Sequence, residues 1–202
     1  MQNQLATSIS TGSSRAHSVI MNSFSNHEDS LFDLTAQIQL ACCEQAVLTP
    51  QSVRKALDEA LVGMTATELA HQILTLPRKS ETYTRHILHA DPKGRFTIVA
   101  LVWEKGQASP VHAHFTWCAY KVLNGVLSES HFEWDRSAQQ ARLTGEVERP
   151  SGQSVCGHAG LELIHQLGNR QEQPAVSIHV YGMDSDRIGT HVNRLLVCDH
   201  HA

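Results

Sequence analysis

The sequence predicts a mainly β protein in which a small antiparallel barrel or sandwich follows an α-helical segment. Between residues 29 and 76, apolar side chains recur at helical spacing, whereas the chain after residue 80 is a series of short β-prone runs. Turn sequences such as "ADPKG" and "PSG" separate these runs. Many short strands at close spacing are typical of closed or double-sheet β folds.

Three helices are predicted, over residues 29–46, 49–64 and 65–76. In the second, Thr49 is the expected N-cap and Pro50 occupies the first helical position. Thr65 or Thr67 is expected to cap the third helix, and Pro77 ends it.

Strands are expected in the runs that follow, over residues 83–90, 95–104, 117–134, 141–150, 160–167, 175–182 and 193–200.

Length and composition favour one folded domain. The chain has 202 residues, of which 41% are hydrophobic and 18% are charged. Residues 1–28 are rich in Ser, Asn, Gln and Thr, so we expect a flexible tail there. The domain itself is expected over residues 29–202, with helices in 29–78 and the barrel in 80–198.

The formal net charge of −4, without a basic stripe, makes nucleic acid an unexpected partner. No apolar run approaches the roughly 18 residues that a membrane span needs. Five cysteines without regular spacing do not resemble a disulfide framework, and the N-terminus lacks the pattern of a secretion signal. We therefore expect a cytoplasmic protein, with a monomer as the default. The 14 histidines favour a metal site.

The segment "GQASPVHAHFTWCAYKVLNG" contains the first site motif. His112 and His114 lie two apart in a predicted strand, so both side chains project to one face, into the barrel or out of it. A His-x-His pair alone is more often a chance or surface feature. Here Gly106 precedes it by five residues, Cys118 follows after three and Gly125 after six more. This spacing resembles the first motif of the cupin superfamily, with cysteine in place of its usual glutamate, and implies a cupin jelly-roll barrel.

A second, looser resemblance to the cupins lies further along the chain. Pro150-Ser151-Gly152 resembles the Pro-x-Gly turn of the second cupin motif, and His165 with Asn169 resembles its His-x-x-x-Asn end. The stretch between the turn and the histidine is longer than in the usual pattern. The resemblance implies that His165 is the third metal ligand.

The missing glutamate has a chemical consequence. The common non-haem iron site has two histidines and one carboxylate, with open positions. Three neutral histidines would bring no ligand charge, so an anionic ligand such as a thiolate could bind iron(II) directly. Positions would remain for a second substrate atom and for dioxygen. The pattern therefore predicts a thiol substrate.

Together these segments resemble the cysteine dioxygenases, thiol dioxygenases with the cupin fold, over about residues 80–195. "YTRHIL" resembles the family's Tyr-x-Arg strand, which implies that Arg85, with Tyr83 beside it, binds the substrate carboxylate. "PAVSIHVYG" resembles the family's Ser-x-His-x-Tyr relay, which maps to Ser177, His179 and Tyr181.

The relay is also plausible from the residues themselves. Ser177, His179 and Tyr181 alternate along a strand and so face one side, where a buried tyrosine hydroxyl needs a hydrogen-bond partner. An isolated Ser-x-His-x-Tyr would more simply be a satisfied core pair. Beside a His-x-His strand, the functional interpretation is favoured.

The resemblance implies an Fe(2+) cofactor held by His112, His114 and His165, and oxidation of L-cysteine by O2 to cysteine sulfinate, a step of cysteine catabolism. Another small thiol acid, 3-mercaptopropionate or mercaptosuccinate, stays open as the substrate. Arg85 favours cysteine, whereas "HFTWC" resembles bacterial relatives that act on other thiol acids. A non-catalytic metal-binding cupin or a three-histidine zinc hydrolase are the alternatives from other classes.

Two side chains have open roles. In some members of the family, the residues that match Cys118 and Tyr181 are joined by a thioether bond, and both residues are present here. Cys118 could equally be a small buried hydrophobe. Trp117 could form a wall of the substrate pocket or pack in the core or at the rim.

Overall fold

The computed structural model describes residues 28–44 and 48–198; the predicted tail over residues 1–28 lies outside this part of the chain except for its last residue. Three helices come first: α1 is Glu28–Glu44, α2 is Pro50–Ala60 and α3 is Gly63–Thr75. The strands that follow are β1 Thr84–Ala90, β2 Thr97–Trp103, β3 His112–His114, β4 Cys118–Asn124, β5 Val126–Asp135, β6 Gln140–Pro150, β7 Ser154–Gly157, β8 Gly160–Gly168, β9 Ala175–Tyr181 and β10 Asn193–Leu195.

The strands form two five-stranded antiparallel sheets. The first sheet has the order β1-β2-β9-β4-β7, and the second has the order β10-β3-β8-β5-β6. The chain passes from the first sheet to the second at Gly125, whose φ of +77° suits glycine, so the run expected over residues 117–134 is divided into β4 and β5. The mainly β prediction with N-terminal helices is confirmed.

Side-chain alternation gives the first sheet two apolar faces. On β2, Ile98, Ala100 and Val102 belong to a cluster with the helices, whereas Val99 and Leu101 belong to a cluster on the opposite face. All of β2 and β9 is therefore buried. The helices cover the outer face, and the inner face is left for the site.

Helix α2 is attached to the first sheet by a polar contact in addition to its apolar stripe. Lys121 on β4 donates to Asp58 across 3.0 Å, and Ser154 on β7 donates to the other oxygen of the same carboxylate across 2.8 Å. The Lys121 side chain is only 6% exposed, so this contact compensates a buried charge.

The predicted N-terminal cap agrees with the structure for α2 and differs from it for α3. Thr49 caps α2 in a capping box with Ser52, as the sequence predicts. The predicted cap at Thr65 or Thr67 is wrong: α3 begins at Gly63, whose φ of +52° turns the chain into the helix without a side-chain cap. The extended residue before Pro77 ends α3 as expected.

Two strands also differ from the prediction. Strand β7 was not expected, and β10 stops at Leu195, short of the predicted end of its run. Among the described residues, no helix combines the length and apolar character needed to cross a membrane.

Candidate metal centre and substrate cavity

Three histidines converge between the sheets. His112 and His114 come from β3, and His165 on β8 is the direct cross-strand partner of His112. Their ring centroids are 4.7–5.2 Å apart, and one ring nitrogen of each lies within 4.8 Å of the others. All three are buried, so the His-x-His pair points into the barrel.

Hydrogen bonds orient two of the three rings. The Nδ1 of His112 lies 2.9 Å from the carbonyl oxygen of Pro110, and the Nδ1 of His165 lies 2.6 Å from a carboxylate oxygen of Glu129. A neutral imidazole whose Nδ1–H donates has its lone pair on Nε2. His165 Nε2 and His114 Nδ1 are buried without a hydrogen-bond partner among the described residues. Unpaired imidazole nitrogens in one small volume fit a transition-metal ion.

The protein environment keeps the imidazoles of His112 and His114 neutral. Burial, reinforced by the neighbouring His165, lowers the pKa of His112 to about 3 and that of His114 well below its ordinary value. Their lone pairs are thus available for a metal without competition from protons.

A directed chain of hydrogen bonds runs along β9. Trp103 Nε1 donates to Ser177 Oγ across 3.0 Å, and Ser177 Oγ lies 2.9 Å from His179 Nε2. His179 Nδ1 is 3.2 Å from the Tyr181 hydroxyl. Ser177 Oγ accepts from the indole, and its own hydrogen has an acceptor at His179 Nε2. On this basis we assign the His179 tautomer that carries its proton on Nδ1 and donates to Tyr181, which leaves the tyrosine hydrogen free.

Trp103 belongs to this hydrogen-bonded series, and its role there was not predicted from the sequence. The local signal was weak, since β2 reads as a continuous apolar run in which a tryptophan is unexceptional. Only the pairing of β2 with β9 brings its ring to Ser177.

A guanidinium group lines the same cavity. Arg85 on β1 donates to the Tyr83 hydroxyl across 2.7 Å, and the Tyr83 ring stacks on Trp103 with centroids 4.5 Å apart. The cavity thus has a cation at one side and the histidines at another. Its lining residues are Tyr83, Arg85, Leu101, Trp103, Ser109, His112, His114, His165, Leu167, His179, Tyr181 and Asn193.

Cys118 and Tyr181 face each other across neighbouring strands. They are direct partners in the pairing of β4 with β9, and both are buried. Burial raises the pKa of each group, which keeps the thiol and the phenol neutral. Of the other cysteines, Cys156 packs with the helix-side cluster.

Trp117 is not among the residues that line the cavity. Its indole packs against Gly182 so closely that an added Cβ on Gly182 would lie 2.2 Å from the ring, and it joins the helix-side cluster. This contact is one of packing, and a role for Trp117 in the wall of the substrate pocket stays a prediction.

Two further residues at the site were not identified from the sequence. Glu129 on β5 holds His165, and its only sequence signal is its two-residue spacing from the buried Leu127. Asn193 on β10 is the cross-strand partner of His114, and its amide oxygen is buried and unpaired among the described residues.

The fold and site define a double-sheet barrel of the cupin type with three histidines that could hold a metal ion. The family model for cysteine dioxygenase type I matches residues 18–193. The chain therefore belongs to the cysteine dioxygenase type I family.

Individual relatives cover less of the chain. Cysteine dioxygenase type 1 of Danio rerio is 34% identical over 108 residues, which are 49% of this chain and 50% of that protein. The Rattus norvegicus enzyme is 30% identical and covers 52% of each. The chain thus spans about half the length of the curated relatives it matches. Among solved structures, a Cupin 2 conserved barrel domain protein from Salinispora arenicola is 16% identical with a TM-score of 0.41, over 58% of this chain and 87% of that one.

Proposed function

We propose that the protein is an iron(II)-dependent thiol dioxygenase that oxidises L-cysteine to cysteine sulfinate. The observation that carries the proposal is the presence, in one cavity, of three buried histidines, the Arg85 guanidinium and the Tyr181 hydroxyl. Membership of the cysteine dioxygenase type I family supports it.

The metal would be held by His112, His114 and His165, each of which brings one ring nitrogen to within 4.8 Å of the others. Iron(II) bound there would supply the dioxygen chemistry that adds both oxygen atoms to the thiol sulfur. The protein groups around it bind the substrate, orient it and exclude water.

Arg85 is the proposed anchor for the substrate carboxylate. A guanidinium binds a carboxylate through two parallel hydrogen bonds, and the bond from Arg85 to Tyr83 limits its rotation. Stacking of Tyr83 on Trp103 links the anchor to the relay on β9.

Tyr181 is the proposed donor to substrate or dioxygen. Because His179 donates to the tyrosine oxygen, the Tyr181 hydrogen can point into the cavity. Ser177 fixes the tautomer of His179 and so orients the tyrosine without touching substrate.

A thioether bond between Cys118 and Tyr181 is a further part of the proposal. Their direct cross-strand pairing supports it. The bond would form by a two-electron oxidation, in which the thiol and the ring carbon each lose one hydrogen and dioxygen takes up both as hydrogen peroxide. The intact mass of protein incubated with iron(II) and air would then fall by two hydrogen atoms, and Cys118→Ser would show no such loss.

A different thiol acid is the second candidate, favoured by the short "HFTWC" segment. Oxygen uptake by the iron(II)-loaded chain should be measured with L-cysteine, 3-mercaptopropionate and mercaptosuccinate side by side, with sulfinate detected as product. Preference for L-cysteine is expected. Preference for another thiol would replace the substrate, and no thiol-dependent uptake by iron-containing protein would favour a non-catalytic cupin or a zinc hydrolase.

The role of Arg85 can be tested in the same assay. Arg85→Gln should raise KM for L-cysteine by roughly 10- to 100-fold, because a charged hydrogen bond contributes about 1.5–3 kcal/mol. Arg142→Gln is the matched control, since this exposed arginine on β6 does not line the cavity. Equal KM values in both variants would contradict the assignment.

A further inference from the structure

A buried carboxylate lies directly behind the third histidine. Glu129 on β5 is fully buried, and its two oxygens have different partners. One oxygen is 2.6 Å from His165 Nδ1, and the other accepts from Arg149 Nε across 2.7 Å. The carboxylate therefore connects the histidine to a guanidinium on β6.

The contacts of Glu129 are those of a carboxylate anion. The Arg149 guanidinium donates to one oxygen, and the Nδ1 of His165 faces the other at hydrogen-bond distance. Arg149 compensates the buried charge, although its side chain is 21% exposed. His131, 35% exposed, has a ring nitrogen 3.4 Å from the carboxylate and is a minor partner.

The position of Glu129 excludes it as a direct ligand. Its oxygen contacts Nδ1 of His165, so it lies on the opposite side of the ring from the unpaired Nε2. A carboxylate that accepts from Nδ1–H fixes the tautomer, orients the ring and makes Nε2 a stronger electron donor.

We propose that Glu129 is a positioning residue that supplies, through His165, the negative charge that Cys118 does not supply at the usual glutamate position. Arg149 carries the opposite charge and therefore limits the electrostatic effect of Glu129 on the metal. This inference rests on the metal site of the proposed function and adds a residue pair that tunes the electron density at a bound iron.

A purely structural ion pair would explain the same contacts, because Glu129 and Arg149 also join three neighbouring strands. The two explanations differ in the sign of their effects. If the pair were only structural, loss of either partner would loosen the site and shift the iron potential in the same direction. For a tuning pair, loss of the anion and loss of the cation must shift the iron potential in opposite directions.

The experiment compares Glu129→Gln, Arg149→Gln and the double variant as full-length, iron-loaded protein. Gln at position 129 can still accept from His165 but carries no charge. We expect Glu129→Gln to raise the Fe(III)/Fe(II) midpoint potential and to weaken Fe(II) affinity by roughly 10- to 100-fold. Arg149→Gln should lower the potential, and the double variant should return toward the wild-type value.

Two controls keep the test decisive. Arg149→Lys retains the charge and should stay near the wild-type potential even if Arg149→Gln folds poorly. The Glu146–Arg170 pair has the same chemistry on the exposed surface, so Glu146→Gln should leave the potential unchanged.

The outcomes separate this inference from the proposed function. Shifts in the same direction for Glu129→Gln and Arg149→Gln, or no shift in either, would overturn the inference while wild-type protein still bound iron and oxidised thiols. A wild-type chain that took up no iron would overturn both.

Discussion

Ser177 should be more important for stability than Tyr181, although Tyr181 is the proposed donor to substrate or dioxygen. Ser177→Ala would leave two buried groups without partners, the Trp103 indole N–H and His179 Nε2, since all of these side chains are at most 3% exposed. Each unsatisfied group costs about 1–3 kcal/mol, so the free energy of unfolding should fall by roughly 2–6 kcal/mol.

Tyr181→Phe removes only the longest bond of the chain, 3.2 Å from His179 Nδ1, and leaves one group unpaired. The free energy of unfolding should therefore fall by about 1–3 kcal/mol, half the loss expected for Ser177→Ala. Activity should show the reverse order. Loss of the Tyr181 donor should lower kcat by about 100- to 1000-fold, whereas Ser177→Ala leaves that donor in place and should lower it less.

The assay is urea unfolding of the metal-free variants, in which the midpoint shifts and the slope does not, together with oxygen uptake after iron loading. Ser154→Ala is the matched control on the same sheet. Its hydroxyl donates to Asp58, which is 42% exposed, so water can replace the bond and the loss should stay below about 1 kcal/mol. A larger stability loss for Tyr181→Phe than for Ser177→Ala would refute the directed chain.

The remaining predictions concern packing and acid stability. Gly182→Ala should cost about 1–3 kcal/mol in thermal unfolding because its Cβ would overlap an indole ring, whereas Gly189→Ala, with open space around it, should cost little; equal losses would contradict the packing. A hydrogen bond from Arg95 lowers the pKa of Asp91 from 3.8 to about 2 in the folded chain, so its stabilisation, about 2 kcal/mol, is present above pH 4 and lost as the pH falls toward 2. Arg95→Met should reduce this part of the acid dependence in urea titrations at pH 2–5, and an unchanged slope would refute it.

Local sequence was sufficient for the parts of the site that lie on one strand. His112 and His114, and likewise Ser177, His179 and Tyr181, share a face because strand alternation decides it. No knowledge of neighbouring strands was needed to predict these groups.

The parts that could not be predicted depend on which strands are neighbours. Glu129 reaches His165 only because β5 pairs with β8, and Arg149 reaches Glu129 only because β6 pairs with β5. Nothing within "SESHFEW" distinguishes that glutamate from an ordinary strand residue. The start of α3 was mispredicted for another reason, since a left-handed glycine replaced the expected side-chain cap.

The strand pairing also gives a reason for cysteine at position 118. Residues 118 and 181 are direct partners, so whatever side chain occupies position 118 contacts Tyr181. A carboxylate there would accept the tyrosine hydrogen and turn it away from the cavity, because an ionised carboxylate is a strong acceptor. A neutral thiol, like the thioether sulfur that the proposed cross-link would form, is a weak acceptor and leaves that hydrogen free. Negative charge placed behind His165 by Glu129 is compatible with a donating Tyr181, whereas the same charge at position 118 is not.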